Sequence, residues 1–325
     1  MRKIITIASM LTIVVAAAYF MSCNNNSKTE PQVSNKEDSL KKVLARGEYL
    51  AIHVSPCLDC HSKRDFSKFS GPIVPGTEGM GGEVFDQAHL GIPIPGTIYA
   101  KNITPDPETG IGTWTDDEIM RAMTQGISKN GDTLFPLMPY VHFNHLAKDD
   151  LLSIIAYIRT LKPIKNKVPA RQLMIPISMA YPAKALTPNV DGNVCPPESD
   201  KVKYGEYLTN AAACSDCHTP MGKEGYDFSK LFSGGFNFDV HTFKVNTANI
   251  TPDSATGIGA WTEERFLNKF TPYREEKGYN YDPGKMNTMM PLSCYAGMTD
   301  DDLKAIYAYL RTVKPINNKV EKYPK

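Results

Sequence analysis

Two short stretches of the same form decide the fold of this chain: Cys57-Leu58-Asp59-Cys60-His61 and Cys214-Ser215-Asp216-Cys217-His218. In each, two thiols two residues apart lie on one helical turn, and the next residue places an imidazole beside them. This C-x-x-C-H pattern is typical of covalent c-type haem attachment, in which the thiols bond the porphyrin and the histidine ligates the iron. A zinc site or a thioredoxin-like thiol pair is the alternative for a lone C-x-x-C, but neither needs the adjoining histidine twice. The sequence therefore predicts two covalently bound haem c groups, with iron, at the first attachment motif (residues 57–61) and the second attachment motif (residues 214–218).

The chain is an internal duplication around these two motifs. Four patterns occur once in each copy: G-E-Y-L at 47–50 and 205–208, D-F-S-K at 65–68 and 227–230, N-I-T-P-D with a following T-G-I-G and W-T at 102–115 and 249–262, and M-P followed by a gapless segment at 138–167 and 290–319. The residues between the copies are rich in proline and lack helical periodicity. We therefore predict a first domain at 39–168, a proline-rich linker at 169–199 and a second domain at 200–325.

Each copy is predicted to be mostly helical, so the expected fold class is all-α, with two tandem domains. Apolar residues at helical spacing run into each motif, over 38–53 and over 200–212. Residues 71–96 are rich in glycine and proline and show no period of two, which predicts loops rather than strands.

Helix starts and stops are also readable in the sequence. Thr115 with Glu118 forms a capping-box pattern, and Thr262 precedes acidic residues in the second copy. Terminal helices are predicted from Lys148 to Leu161 and from Thr299 to Val313, because each has an acidic first turn and a Lys-Pro stop.

The N-terminus predicts export. Arg2 and Lys3 precede an apolar run over residues 4–21, which ends at Ser22-Cys23 and a polar stretch. This junction resembles a bacterial lipoprotein signal, with a signal peptide at 1–23, lipid on Cys23 and a polar tether at 24–38. An uncleaved membrane anchor and simple secretion are the alternatives, since the run is just long enough to span a bilayer. All three alternatives place the haem domains outside the cytoplasm, on the periplasmic side. The favoured lipoprotein would also be held at the membrane by its lipid.

Charge and motifs exclude several function classes. The formal net charge of +1 over 325 residues gives no electrostatic case for a nucleic-acid partner. The chain has no Walker A sequence, no G-x-G-x-x-G after a strand and no H-E-x-x-H, so nucleotide and zinc-hydrolase chemistry have no support.

In these motifs and their order, each copy resembles class I cytochrome c. The run N-I-T-P-D-x-x-T-G-I-G-x-W-T, the later M-P and the terminal A-Y-x-R-T-x-K-P-I helix resemble the cytochrome c subunits of membrane-bound alcohol, gluconate and related sugar dehydrogenases. The resemblance implies an electron carrier that takes electrons from a redox partner, a dehydrogenase subunit, and passes them to quinone or a terminal oxidase. Those subunits commonly have three haem domains and a C-terminal anchor, and this chain departs from that pattern.

The resemblance also implies further haem-binding residues. Met138 and Met290 stand directly before proline and just ahead of a terminal helix, where the family places its axial methionine. A thioether opposite the imidazole fills the iron's coordination sphere and suits one-electron transfer. Trp114 and Trp261, at matching places in the repeat, are expected to donate to a haem propionate, although burial alone would explain them. Packing in the core is the alternative for the methionines.

Two cysteines remain after haem and lipid attachment, Cys195 and Cys294. In an oxidising compartment they could form a disulfide that ties the linker to the second domain. Two isolated thiols are the alternative.

Three function classes remain open at this point. The sequence favours a dihaem electron carrier that is not itself an enzyme. A dihaem peroxidase would need one haem with an open position for peroxide, and a haem-based sensor would need a displaceable methionine. Neither the donor nor the acceptor can be read from the sequence.

Overall fold

The computed structural model describes residues 32–180, 190–223 and 225–324, so Cys23 and the predicted signal peptide lie outside the described residues. The α-helices are α1 (Gln32–Tyr49), α2 (Cys57–His61), α3 (Gln87–Leu90), α4 (Asp116–Gln125), α5 (Tyr140–Phe143), α6 (Lys148–Ile158), α7 (Ile177–Ala180), α8 (Lys201–Ala211), α9 (Cys214–His218), α10 (Glu263–Leu267), α11 (Leu292–Tyr295) and α12 (Asp300–Leu310). None of the helices in the described ranges is long and apolar enough to cross a lipid bilayer.

The chain divides into two units. Residues 1–42 form one unit, whose described part is the beginning of α1; residues 37–42 are exposed, and Lys41 and Glu37 form an ion pair of 3.2 Å. Residues 43–325 form the other unit, which is compact and contains both copies of the repeat. The predicted boundaries between two separate domains stay a prediction.

The predicted helices are present, with small shifts at their ends. The helix expected over 38–53 begins earlier, at Gln32, and the two terminal helices end at Ile158 and Leu310, slightly before the predicted Leu161 and Val313. The capping box of α4 is complete: Thr115 Oγ1 accepts from Glu118 N at 3.2 Å, and Glu118 Oε2 accepts from Thr115 N at 2.8 Å.

The all-α prediction is only partly right, because the structure also contains short strands. They are β1 (Val84–Phe85), β2 (Gly96–Tyr99), β3 (Gln172–Leu173), β4 (Met221–Gly222), β5 (Gly225–Tyr226), β6 (Asn237–Asp239) and β7 (Lys244–Asn246). The first three form one antiparallel sheet in the order β1-β2-β3, and the others form two hairpins.

The predicted loop at 71–96 therefore includes β1 and the start of β2, and the proline-rich linker contributes β3. Strands of two to four residues are too short to show a period of two, so the sequence pattern gives no sign of them. Of the three strands in this sheet, β3 is held by pairing with β2, which is distant in sequence.

In each copy the helix before the attachment motif crosses the terminal helix at a glycine. A Cβ atom on Gly47 would lie 1.9 Å from Ser153 O, and a Cβ atom on Gly205 would lie 1.9 Å from Ala305 O. Contacts this short are far inside van der Waals separation, so only glycine allows the two backbones to approach so closely. The two copies thus have the same close helix crossing, at equivalent glycines of the repeat.

The first copy contains one more residue than the second between the G-E-Y-L segment and the attachment motif. The structure accommodates it as a π-helical turn at Leu50–Val54, directly after α1. A π-turn is the usual way in which a helix absorbs a single inserted residue. The extra residue and the π-turn thus occur in the same segment, between α1 and the first attachment motif.

The two copies contact each other reciprocally. Tyr49 OH donates to Asp302 Oδ2 at 2.5 Å, and Tyr207 OH donates to Asp150 Oδ2 at 2.7 Å. The two tyrosines occupy the same place in the repeat, and so do the two aspartates. Each copy's first helix thus bonds the other copy's terminal helix, which is the arrangement of a twofold-symmetric dimer formed within one chain.

Candidate haem-binding sites

Each attachment motif is a single helical turn whose histidine is held by a backbone carbonyl. The Nδ1 atom of His61 lies 2.7 Å from Lys101 O, and the Nδ1 atom of His218 lies 2.7 Å from Ala248 O. Burial lowers the pKa of both histidines, although the bond to the carbonyl opposes this effect. A neutral ring that donates from Nδ1 presents the lone pair of Nε2, which is the form that ligates a metal.

The carbonyls that hold the histidines are fixed in turn by the repeated N-I-T-P-D segment. In the first copy, Asn102 Oδ1 accepts from Thr104 N at 2.9 Å and from Thr104 Oγ1 at 2.7 Å, and Asn102 Nδ2 donates to Ile164 O at 2.8 Å. This asparagine is 3% exposed, so its hydrogen bonds are shielded from water. Asn102 directly follows Lys101, whose carbonyl contacts His61. Its bond to Ile164 O therefore links this carbonyl to the segment after α6.

The second copy repeats this arrangement closely. Asn249 Oδ1 accepts from Thr251 N at 3.0 Å and from Thr251 Oγ1 at 2.7 Å, and Asn249 Nδ2 donates to Ile316 O at 2.8 Å. In the sequence, the N-I-T-P-D segment reveals the duplication and carries part of the resemblance, but it gives no sign of a role in holding the histidine. Its position directly after the carbonyl that accepts from the histidine becomes visible only in the structure.

The four motif cysteines differ in exposure: Cys60 and Cys217 are exposed, whereas Cys57 and Cys214 are partly buried. Burial raises the pKa of Cys57 and Cys214 to about 12. Two neutral thiols on one helical turn followed by a neutral imidazole fit covalent haem c, with Cys57, Cys60 and His61 holding one group and the matching residues of the second motif the other.

The predicted axial methionines lie beside the main core. Met138 and Met290 are both partly buried and pack against the same apolar cluster as Cys57 and Cys214. Each stands before a short helix of the same form, and Met138 O and Met290 O each accept a hydrogen bond of 2.8 Å from the residue two places later.

The structure separates Met290 from its neighbouring methionines. Met286 is 62% exposed and Met298 is 2% exposed, whereas Met289 packs against a smaller, separate apolar cluster. Only Met290 in this group is partly buried against the core that the motif cysteines contact. Ligation by Met138 and Met290 stays a prediction.

The two tryptophans also pack against the core, at equivalent positions. Two cations lie over the ring of Trp261: the Arg265 guanidinium is 4.7 Å and the Lys269 ammonium 5.1 Å from the ring centre. The backbone carbonyl of Trp114 accepts from Arg159 Nη2 at 2.8 Å. Donation from either indole to a haem propionate stays a prediction.

Both attachment motifs face the interface between the copies. Asp216, inside the second motif, lies 2.6 Å from His142 Nε2, which belongs to the first copy. Asp59, at the matching position of the first motif, lies 3.9 Å from the Cys294 sulfur of the second copy. Each copy's segment after the methionine therefore contacts the other copy's attachment helix.

The predicted disulfide is not formed. Among the described cysteines, Cys195 and Cys294 are both free thiols. Cys294 is buried beside Asp59, while the sulfur of Cys195 is 3.6 Å from Pro196 O. The structure therefore favours two isolated thiols.

The comparisons with known proteins agree with the geometry. Residues 202–314 match the cytochrome c family model, and a cytochrome c domain implies covalently bound haem c. The chain is 29% identical over 296 residues to the cytochrome c subunit of a quinone alcohol dehydrogenase from Gluconobacter oxydans, covering 87% of the chain and 57% of that protein. It is 29% identical over 283 residues to the gluconate 2-dehydrogenase cytochrome c subunit of Pantoea cypripedii, covering 83% of the chain and 59% of that protein.

A third relative is covered over its whole length. A protein of Cereibacter sphaeroides named as a dihaem c-type cytochrome is 26% identical over 326 residues, which cover 97% of the chain and all of that protein. The chain thus spans little more than half the length of the dehydrogenase subunits, whereas it matches the dihaem protein from end to end. All three relatives are named as cytochromes or cytochrome subunits, in agreement with the prediction of an electron carrier rather than an enzyme.

Proposed function

We propose that this chain, which contains a cytochrome c domain and resembles the cytochrome c subunits of dehydrogenases, is a dihaem carrier of single electrons. The observation that carries the proposal is the pair of attachment helices, each with its histidine Nδ1 bonded to a carbonyl at 2.7 Å. Bound haem supplies reversible one-electron chemistry at its iron. The chain's own residues attach and orient the two groups and shield them from water.

The contact between the two attachment motifs and the opposite copies supports transfer between the sites. His142 and Cys294 each extend from one copy to the motif of the other. The two motifs would therefore hold their haem groups beside the contact between the copies, and bound haem would supply the one-electron chemistry there. The internal twofold arrangement favours a two-site carrier over two independent carriers.

His/Met ligation of both irons tests the proposal. Met138→Ala and Met290→Ala should each remove about half of the weak near-infrared band of methionine-ligated ferric haem, and each should open one iron to carbon monoxide. Met286→Ala is the matched control, because Met286 is 62% exposed. Stoichiometric carbon monoxide binding by the unaltered reduced protein, or rapid peroxide consumption with an electron donor, would replace the carrier with a sensor or a peroxidase.

We further propose a dehydrogenase subunit as electron donor and quinone or a terminal oxidase as acceptor. The support for a donor of this kind is the naming of two relatives as dehydrogenase subunits. Membrane extracts containing such a dehydrogenase should reduce the haems when alcohol or gluconate is added. Reduction that does not depend on any added substrate would contradict this donor.

Attachment to the membrane on the periplasmic side, through lipid on Cys23, completes the proposal. Its support is the Ser22-Cys23 junction after an apolar run. Labelled palmitate should enter the unaltered protein and not Cys23→Ala. Label that persists in the variant would refute lipid at this residue, and membrane retention without any label would favour an uncleaved anchor.

A further inference from the structure

A serine of the first copy holds the methionine segment of the second copy. Ser70 is fully buried, and its Oγ atom donates to Met290 O at 2.7 Å and accepts from Leu292 N at 2.8 Å. These two bonds flank Pro291: one is to the carbonyl of the residue before it, and the other is from the N–H of the residue after it. The backbone that carries the predicted iron ligand is thus fixed from the other copy.

Ser70 is itself held by a buried amide. Asn287, which is 1% exposed, accepts from Ser70 N at 2.8 Å through Oδ1. Its Nδ2 atom donates to Phe66 O and to Lys68 O, each at 3.1 Å. The second copy therefore holds Ser70 through two groups: Asn287 bonds the serine's backbone N–H, and the Met290 segment bonds its hydroxyl.

A buried cation links this clamp to the first attachment motif. The Arg64 guanidinium donates to Ser70 O at 2.7 Å and to Gly71 O at 2.9 Å, and it lies 3.1 Å from Asp59. The side chains of this ion pair are each 7% exposed. A continuous series of contacts thus runs from the first attachment helix, through Ser70, to Met290.

The second copy lacks the matching clamp. Ser233 follows the second D-F-S-K segment in the same F-S-G context as Ser70, and within the described residues its buried Oγ atom has no hydrogen-bond partner. Tyr226 takes the place of Arg64 directly before that segment. The clamp acts in one direction only, from the first copy onto Met290.

We propose that Ser70 is a positioning residue for the iron ligand Met290, and that Met290 is consequently held more firmly than Met138. This inference rests on the proposed ligation of iron by the two methionines. It makes the two sites unequal: the site of the first motif exchanges its methionine more readily, and the site of the second motif keeps it.

The test uses the haem-loaded protein and cyanide as a competitor for the methionine position. In a Met138→Ala background, the remaining near-infrared band reports Met290 alone. Ser70→Ala should lower the cyanide concentration that half-bleaches this band by roughly three- to tenfold, because the buried hydrogen bond from Ser70 Oγ to Met290 O is lost and Leu292 N keeps only its bond to Met290 O. Ser70→Gly should do the same, and glycine suits the φ of +67° at this position without strain.

Ser233→Ala in a Met290→Ala background is the matched control, and it should leave the half-bleaching concentration for Met138 unchanged. A second measurement leaves both serines intact. The cyanide concentration that half-bleaches the near-infrared band should be higher in Met138→Ala, where Met290 remains, than in Met290→Ala, where Met138 remains. Equal concentrations in that pair, or Ser70 variants that behave like their parent, would overturn the inference. If Met290→Ala retains the full band, the proposed ligation fails instead, and the two failures are thereby distinguished.

Discussion

Gly205→Ala should destabilise the protein through the crossing of α8 and α12. A Cβ atom at this position would lie 1.9 Å from Ala305 O and 2.4 Å from its carbonyl carbon, whereas ordinary contacts begin at 3.4 Å. The helices would have to separate by about 1.5 Å in a close-packed core. Such overpacking lowers the free energy of unfolding by about 3 kcal/mol. The higher helix propensity of alanine raises it by about 1 kcal/mol.

The expected net loss is therefore about 2 kcal/mol, or about 4–8 °C in Tm. Guanidinium denaturation of the haem-loaded protein, followed by circular dichroism, measures it. Gly192→Ala is the control, because an added Cβ atom there meets nothing within 4 Å. A Gly205→Ala variant as stable as the control would refute the close helix crossing, and Gly47→Ala should repeat the result in the first copy.

Two further predictions concern the interface between the copies. Tyr207→Phe should lower the free energy of unfolding by about 1.5–3 kcal/mol, because the hydroxyl donates to the Asp150 carboxylate, and a denaturation curve that is unchanged would contradict this. Burial lowers the pKa of His142, but its hydrogen bond and charge interaction with Asp216 outweigh that effect and raise it above the usual value. The stabilisation by protonated His142 is thus complete below the unfolded-state pKa of about 6.5 and is lost as the pH rises through the higher folded-state pKa. The stability difference between the unaltered protein and His142→Gln should accordingly be larger at about pH 5.5 than at about pH 8.5, and a difference independent of pH would show that the ring is not protonated.

The parts of the fold that depend on local chemistry were predictable. The capping box at Thr115, the helices before each motif and the terminal helices follow from side chains within a few residues of one another. The duplication was predictable because it repeats motifs of several residues. The π-turn at Leu50–Val54 was not predicted, although the one-residue difference between the copies was its signal.

The parts that depend on contacts between distant segments were not predictable. The strand β3 pairs with β2 across a long stretch of sequence, and neither is long enough to show a pattern. The carbonyl of Lys101 carries no residue-specific signal, since every residue has one, yet it orients His61. Ser70 and Ser233 are the same residue in the same local context, and the packing of the copies gives hydrogen-bond partners to the Oγ atom of the first but, within the described residues, not to that of the second.

The central claim is that one chain carries two covalent haems, and their number per chain tests it most directly. A pyridine haemochrome assay against protein mass, together with mass spectrometry of the denatured protein, should give two haems, and replacing both Cys57 and Cys60 by alanine should leave one. A single haem in the unaltered protein, or none, would contradict the account.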